Sequence, residues 1–161
     1  MDDRQIPRGV ATLGGRVRVH FDGACEPARG GGIATFGYHL EGGGFLHEDC
    51  GLAAAPFSPN ATNNVAEYVA AIRALEWLVG RGYEGEVELV GDSQLVVRQM
   101  NGEYEVRAEH LKAYHEHLAR LASRFHPATF AWVPREENTR ADALSKQALA
   151  ETMSELQGRR D

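Results

Sequence analysis

Four acidic residues, Asp22, Glu67, Asp92 and Asp142, have the strongest claim to chemistry in this sequence. Each also has a local explanation. Asp22-Gly23 is a turn dipeptide suited to closing a strand. Glu67 follows Asn64 by three residues, the spacing of a capping-box glutamate. Asp92 directly precedes a helical pattern and suits an N-cap. Asp142 falls in the first turn of another helical pattern, where the helix dipole favours negative charge. Their shared placement argues for more. Asp22 and Asp92 fall at the carboxyl ends of strands, and Glu67 and Asp142 in the first turns of helices that must pack on the same sheet. Sites in open α/β sheets form beyond the carboxyl ends of strands, so acids from distant stretches can converge there. Four carboxylates in one pocket repel one another unless a cation joins them. An oxygen-only set selects Mg2+ or Mn2+ over zinc. The chemistry expected is two-metal phosphodiester hydrolysis, in which one ion activates a water and the other steadies the leaving oxygen.

The elements that would carry these acids follow from periodicity. RVRVHF (16–21) alternates with period two and predicts a strand. GIATFGYHL (32–40) predicts a second, and 45–52 a third across a glycine turn at 42–44. Val65, Tyr68, Val69, Ile72, Leu75 and Val79 then fall at helical spacing, ending near Gly80-Arg81-Gly82. EVELV (86–90) is a fourth strand, followed by a helix from Ser93, a helix over 109–124, a fifth strand over 130–133 and a last helix from Thr139 to about Leu156. The order βββ-α-β-α-α-β-α, an early antiparallel meander and later strands separated by helices, predicts an α/β fold with a mixed sheet and helices packed on it. Trp77 and Trp132 fit the helix–sheet core.

The 161 residues suit one domain over 16–156, with a leader over 1–15 and a tail over 157–161. Cys25 and Cys50 are the only cysteines, which excludes a disulfide framework and a cysteine-rich zinc site and suggests a reducing, cytoplasmic setting. No apolar run reaches membrane-spanning length, and the polar N-terminus shows no signal-peptide core. A net charge of -6 argues against holding nucleic acid by bulk electrostatics but leaves room for a local basic strip.

Four segments, FDGAC (21–25), ATNNVAEYVAAIRAL (61–75), GDSQLVV (91–97) and ENTRADALSKQA (137–148), resemble type 1 ribonuclease H, in that family's order. The resemblance implies a five-stranded mixed sheet, an antiparallel meander of three strands and then two parallel strands, flanked by helices, and hydrolysis of the RNA strand of RNA/DNA hybrids, leaving 5′-phosphate and 3′-hydroxyl ends. It implies two metal ions, Mg2+ or Mn2+, on Asp22, Glu67, Asp92 and Asp142. By motif position Thr62 would contact a DNA phosphate, while Asn63, Asn64 and Gln94 would meet the minor groove, where short amides can pair with 2′-hydroxyls. Gly23 and Cys25, beside the catalytic turn, would approach substrate through their backbone, and Asn138, which matches the family asparagine four residues before the last acid, would contact substrate as well. A monomer acting on nucleic acid, with no membrane partner, is the expected state.

Two departures bear on mechanism. The Gly-His loop of many members is missing: WVPREENTRAD (132–142) has no histidine, which leaves Arg135 to steady a phosphate or leaving group. Glu136 is a second candidate, as a metal shuttle. The basic helical protrusion is missing too, so grip on the hybrid would fall to scattered cations such as Arg98, Arg107, Lys112 and Arg140. No arginine stands just upstream of Thr62, which makes double-stranded RNA an additional expected substrate. The alternatives are a non-catalytic hybrid-binding module and a nuclease of the same chemistry acting on another structured substrate. His110, His115 and His117 lack zinc-site spacing and read as surface residues.

Overall fold

The computed structural model describes residues 15–160, so all but the last residue of the leader, and residue 161, lie outside the described residues. In chain order the elements are β1 (Val17–Glu26), β2 (Ile33–Gly42), β3 (Phe45–Leu52), α1 (Asn63–Gly80), β4 (Val87–Gly91), α2 (Gln94–Met100), α3 (Glu109–Ala122), β5 (Ala128–Trp132), a 3-10 turn (Arg135–Glu137) and α4 (Thr139–Arg160). The strands form one sheet in the order β3-β2-β1-β4-β5. β1–β2 and β2–β3 are antiparallel, whereas β1–β4 and β4–β5 are parallel. This is the mixed sheet expected from the pattern.

Because side chains alternate across a pleated sheet, β1 and β2 divide their residues between two faces. Val17, Val19 and Phe21 of β1 join Phe36, Tyr38 and Leu40 of β2 in one core with Tyr68, Ile72, Leu75 and Leu78 of α1 and Leu111 and Leu118 of α3. Each fully buried side chain of this size contributes about 1.5–3 kcal/mol, so this face anchors the fold. α4 covers the opposite face, where the Thr35 hydroxyl donates to the Ser145 carbonyl at 2.7 Å. The N-terminal end of α4 is pinned to β3 as well, since the Arg140 guanidinium donates to Glu48.

Two boundaries and one core assignment differ from the sequence reading. β1 does not stop at Asp22-Gly23: it stays paired with β2 as far as Glu26↔Ile33, so a neighbouring strand, rather than a turn, satisfies that backbone. α4 continues through residues 157–160, which were assigned to a tail. Trp132 is not a core residue. It lies on the edge strand β5, is 46% exposed, and donates from Nε1 to the Asp92 carbonyl at 3.3 Å. Trp77 does pack against the core, stacked on His47 with ring centroids 4.1 Å apart.

Candidate active site

Register explains why Asp22 and Asp92 meet. The parallel ladder between β1 and β4 ends at Phe21↔Gly91. Asp22 and Asp92 are therefore the residues that follow this last pair on two neighbouring strands, side by side at the carboxyl edge. Glu67 reaches them from the fifth position of α1, whose N-cap is Thr62, accepting from the Val65 amide at 3.1 Å. Glu67 thus lies beyond the first turn and is not a capping-box residue. Likewise Ser93, accepting from the Val96 amide, caps α2, which leaves Asp92 without the capping role.

Two glycines set the helix approach. A Cβ on Gly23 would stand 2.6 Å from Ala66 Cβ and 2.7 Å from the Glu67 backbone nitrogen. Only a bare Cα lets α1 come down against β1 and bring Glu67 to Asp22. On the other face Gly37, paired with Asp22 across the ladder, would place a Cβ 2.5 Å from the Ser145 backbone nitrogen and 2.7 Å from the Ala141 carbonyl oxygen. That close contact seats the start of α4, and with it Asp142, beside Asp22.

Asp22, Glu67 and Asp92 each offer an oxygen within 4.8 Å of the other two, a spacing that one cation can span. Asp142 borders the same cleft, of about 250 Å³, and its carboxyl shares a hydrogen bond with that of Asp22, which adds to the rise at Asp22. Its Oδ2 pairs with Lys146 Nζ at 3.1 Å. Burial, reinforced by Asp92 and Glu67, pushes the Asp22 carboxyl up to about 8. Burial also pushes Glu67 up to about 8, with Asp92 adding to the rise while the Ser93 hydroxyl and Arg135 oppose it. Asp92 is raised too, by burial first, and Asn138 and Arg135 hold the rise in check. Asp92 Oδ2 is buried with no hydrogen-bond partner among the described residues. A desolvated acid set with an unpaired oxygen fits a hard divalent cation.

Of the residues singled out from sequence, Asp22, Gly23, Cys25, Asn63, Glu67, Asp92, Arg135 and Asp142 all border this cleft. The Cys25 thiol donates to the carbonyls of Pro27 and Ala61, tying the β1–β2 loop to the segment before α1. Thr62 is engaged as a cap, Asn64 is half-buried, and Gln94 is exposed at the start of α2; none of these three lines the cleft. Asn138 corrects the sequence reading: it is fully buried, its Nδ2 donates to the Phe21 carbonyl at 2.9 Å, and it faces the protein rather than substrate. It fastens the α4 entrance to β1 one residue before Asp22. Glu136 is exposed on the 3-10 turn outside the cleft. The cations expected to grip nucleic acid already have acidic neighbours: Arg98 pairs with Glu103, Arg107 with Glu105, Lys112 with Glu109 and Arg140 with Glu48. Such exposed pairs contribute little and exchange readily. Two site residues escaped sequence reasoning. Lys146 was detectable as a basic residue one turn after Asp142, whereas the contact of Ser93 with Glu67 depends on a crossing of α1 and α2 that no local pattern encodes.

A β3-β2-β1-β4-β5 sheet with acids gathered at its carboxyl edge defines a ribonuclease H-like fold. A family model described as reverse transcriptase-like matches residues 46–148. Ribonuclease HI of Halobacterium salinarum is 40% identical over 139 residues, covering 84% of this chain and 65% of the relative, so the chain spans just under two thirds of that relative's length. Among solved structures, the N-terminal RNase H domain of Rv2228c from Mycobacterium tuberculosis, determined as a fusion with maltose binding protein, superposes with a TM-score of 0.77 at 30% identity, covering 88% of this chain and 98% of that one. LC11-RNase H1, solved in complex with an RNA/DNA hybrid, superposes with a TM-score of 0.74 at 34% identity, covering 85% and 99% of the respective chains. The chain belongs to the type 1 ribonuclease H family.

Proposed function

We propose that this protein is a metal-dependent endoribonuclease that cuts the RNA strand of RNA/DNA hybrids, leaving 5′-phosphate and 3′-hydroxyl ends. The observation that carries the reading is the convergence of Asp22, Glu67 and Asp92, with Asp142 at the rim, in a chain of this family. These four acids would hold Mg2+, with Mn2+ as the alternative. Bound there, two divalent cations would activate water and stabilise the departing 3′ oxygen.

The remaining roles belong to the chain itself. Ser93 and Asn138 orient Glu67 and Asp92, so the carboxylates are in place before substrate arrives. Arg135, bordering the cleft from the 3-10 turn, steadies the non-bridging oxygens of the scissile phosphate with a planar donor set that matches them. It takes the place of the missing histidine. Asn63, exposed at the first position of α1, meets the minor groove, with Asn64 and Gln94 beside it. Thr62, Gly23 and Cys25 contribute through phosphate or backbone contacts on the same side. We assign the activity to a single unit over 16–156, acting as a monomer in the cytoplasm; among the described residues no helix is long and apolar enough to cross a membrane.

The test is a panel of end-labelled hybrid, single-stranded RNA and double-stranded RNA at fixed salt, with Mg2+, Mn2+ or chelator. Cleavage of the hybrid's RNA strand only when metal is present is expected, with weaker cutting of double-stranded RNA. Retention of hybrid without turnover in either metal would instead make the protein a binding module.

A further inference from the structure

We propose that Trp132 is a substrate-contact residue, whose indole ring packs against a nucleoside of the nucleic-acid strand as that strand leaves the acid cleft over β5. The proposal deepens, and rests on, the reading that this cleft cuts a hybrid. Three observations carry it. The Trp132 Nε1 donates to the Asp92 carbonyl at 3.3 Å, which fixes the ring beside an acid of the site. The residue is nevertheless exposed, on an edge strand with no neighbour on its outer side among the described residues. Its backbone is held as well: Trp132 pairs with Gly91, and the Val133 amide donates to the Gly91 carbonyl at 2.9 Å.

A tryptophan ordinarily turns its ring inward and leaves its polar tip toward water. Here the tip is engaged by the protein and the ring faces out. A single exposed apolar side chain is ordinary on a surface, and Leu46 and Met153 are examples. Trp132 differs in being anchored next to the acids, three residues before Arg135, which borders the cleft. The stretch 132–135 thus sets an apolar face beside a guanidinium, matching the alternation of nucleoside and phosphate along a strand. A ring already fixed by its N–H and its backbone loses little conformational freedom on contact. Aromatic faces also meet nucleic acid with little regard to sequence. Such grip matters in this chain, because Arg98, Arg107, Lys112 and Arg140 are paired with glutamates.

The test measures kcat, KM and the salt dependence of KM on labelled hybrid in Mg2+ for wild type, Trp132→Phe and Trp132→Ala. Trp132 emission is followed in Trp77→Phe/Asp92→Asn, which has one tryptophan, keeps the backbone carbonyl at residue 92 and does not turn over substrate. Trp132→Ala should raise KM on the order of tenfold at unchanged kcat, the scale of an aromatic contact with a nucleotide. Its salt dependence should match wild type, since no phosphate contact is lost. Trp132→Phe, a ring without the N–H, should recover most of the loss, and hybrid should quench Trp132 emission. An unchanged KM in Trp132→Ala, or emission that ignores bound hybrid, would overturn the proposal. So would equal losses of kcat in Trp132→Phe and Trp132→Ala, which would make the residue a support for Asp92 alone. A wild type that neither holds nor cuts hybrid would instead overturn the underlying reading.

Discussion

Asp92→Asn is expected to abolish hybrid cleavage, by at least about 10³-fold under single turnover, while the variant folds and melts no lower than wild type. The rate loss follows from removing one carboxylate from a set whose oxygens lie within 4.8 Å of each other. Stabilisation by bound divalent ions is worth several kcal/mol in the transition state, and each ~1.4 kcal/mol is tenfold in rate. Preserved stability follows from the caps. Ser93, not Asp92, closes α2, and Asp92 Oδ2 is buried without a partner. An amide there removes a desolvated charge and breaks no cap. Circular dichroism beside the rate measurement decides between the roles: a variant that unfolds would make Asp92 a structural residue.

The second large effect is expected from Gly23→Ala, a change that removes no functional group. The added carbon would meet Ala66 Cβ and the backbone of Ala66 and Glu67 at 2.6–2.8 Å, contacts that no flexible side chain can relieve. α1 must withdraw, and Glu67 goes with it. Overpacking of this kind costs about 1–3 kcal/mol, roughly 2–12 °C of melting temperature for a domain of this size. The displacement matters more than the destabilisation. A shift of ~1 Å at a reacting group can cost about 100-fold in rate, so cleavage measured well below the melting temperature should fall by that order. Wild-type activity in a folded Gly23→Ala would mean that the α1–β1 contact does not position Glu67.

How far such a site can be read from sequence depends on how local its causes are. The strand alternation of Val17, Val19 and Phe21 and the helical spacing of Val65, Tyr68, Ile72 and Leu75 are set by burial on one face, so element order and sheet type were legible. The four acids were legible as element-end residues. Their individual caps were not, because Thr62 and Ser93 compete for those positions with Asn64 and Asp92, and only the three-dimensional donors decide. Asp22-Gly23 reads as a turn in one dimension but lies within a strand, since β2 supplies partners to the backbone up to Glu26. Asn138 was misread for a related reason. Its motif position is real, but its amide meets the Phe21 carbonyl across 117 residues of chain. Charge was the least legible property. Arg98, Arg107, Lys112 and Arg140 look available in the sequence and are paired with glutamates in the fold.

The central claim is that these acids are brought together at a cost in free energy which a divalent cation removes. Asp22 and Glu67 titrate near 8 in the fold, against 3.8 and 4.5 ordinarily. The folded protein therefore binds more protons than the unfolded chain between about pH 4 and pH 8. Their contribution to stability is fully present below the unfolded values and is lost as pH rises through the folded ones. The direct measurement is the melting temperature in chelator and in Mg2+ at about pH 5 and about pH 8, for wild type and Asp22→Asn. In chelator, wild type should lose stability toward the higher pH. Mg2+ at about 100 times its dissociation constant should return ~2.7 kcal/mol there, with little effect at the lower pH and little on Asp22→Asn at either. An equal response to Mg2+ in both proteins, or none in wild type at the higher pH, would contradict the account.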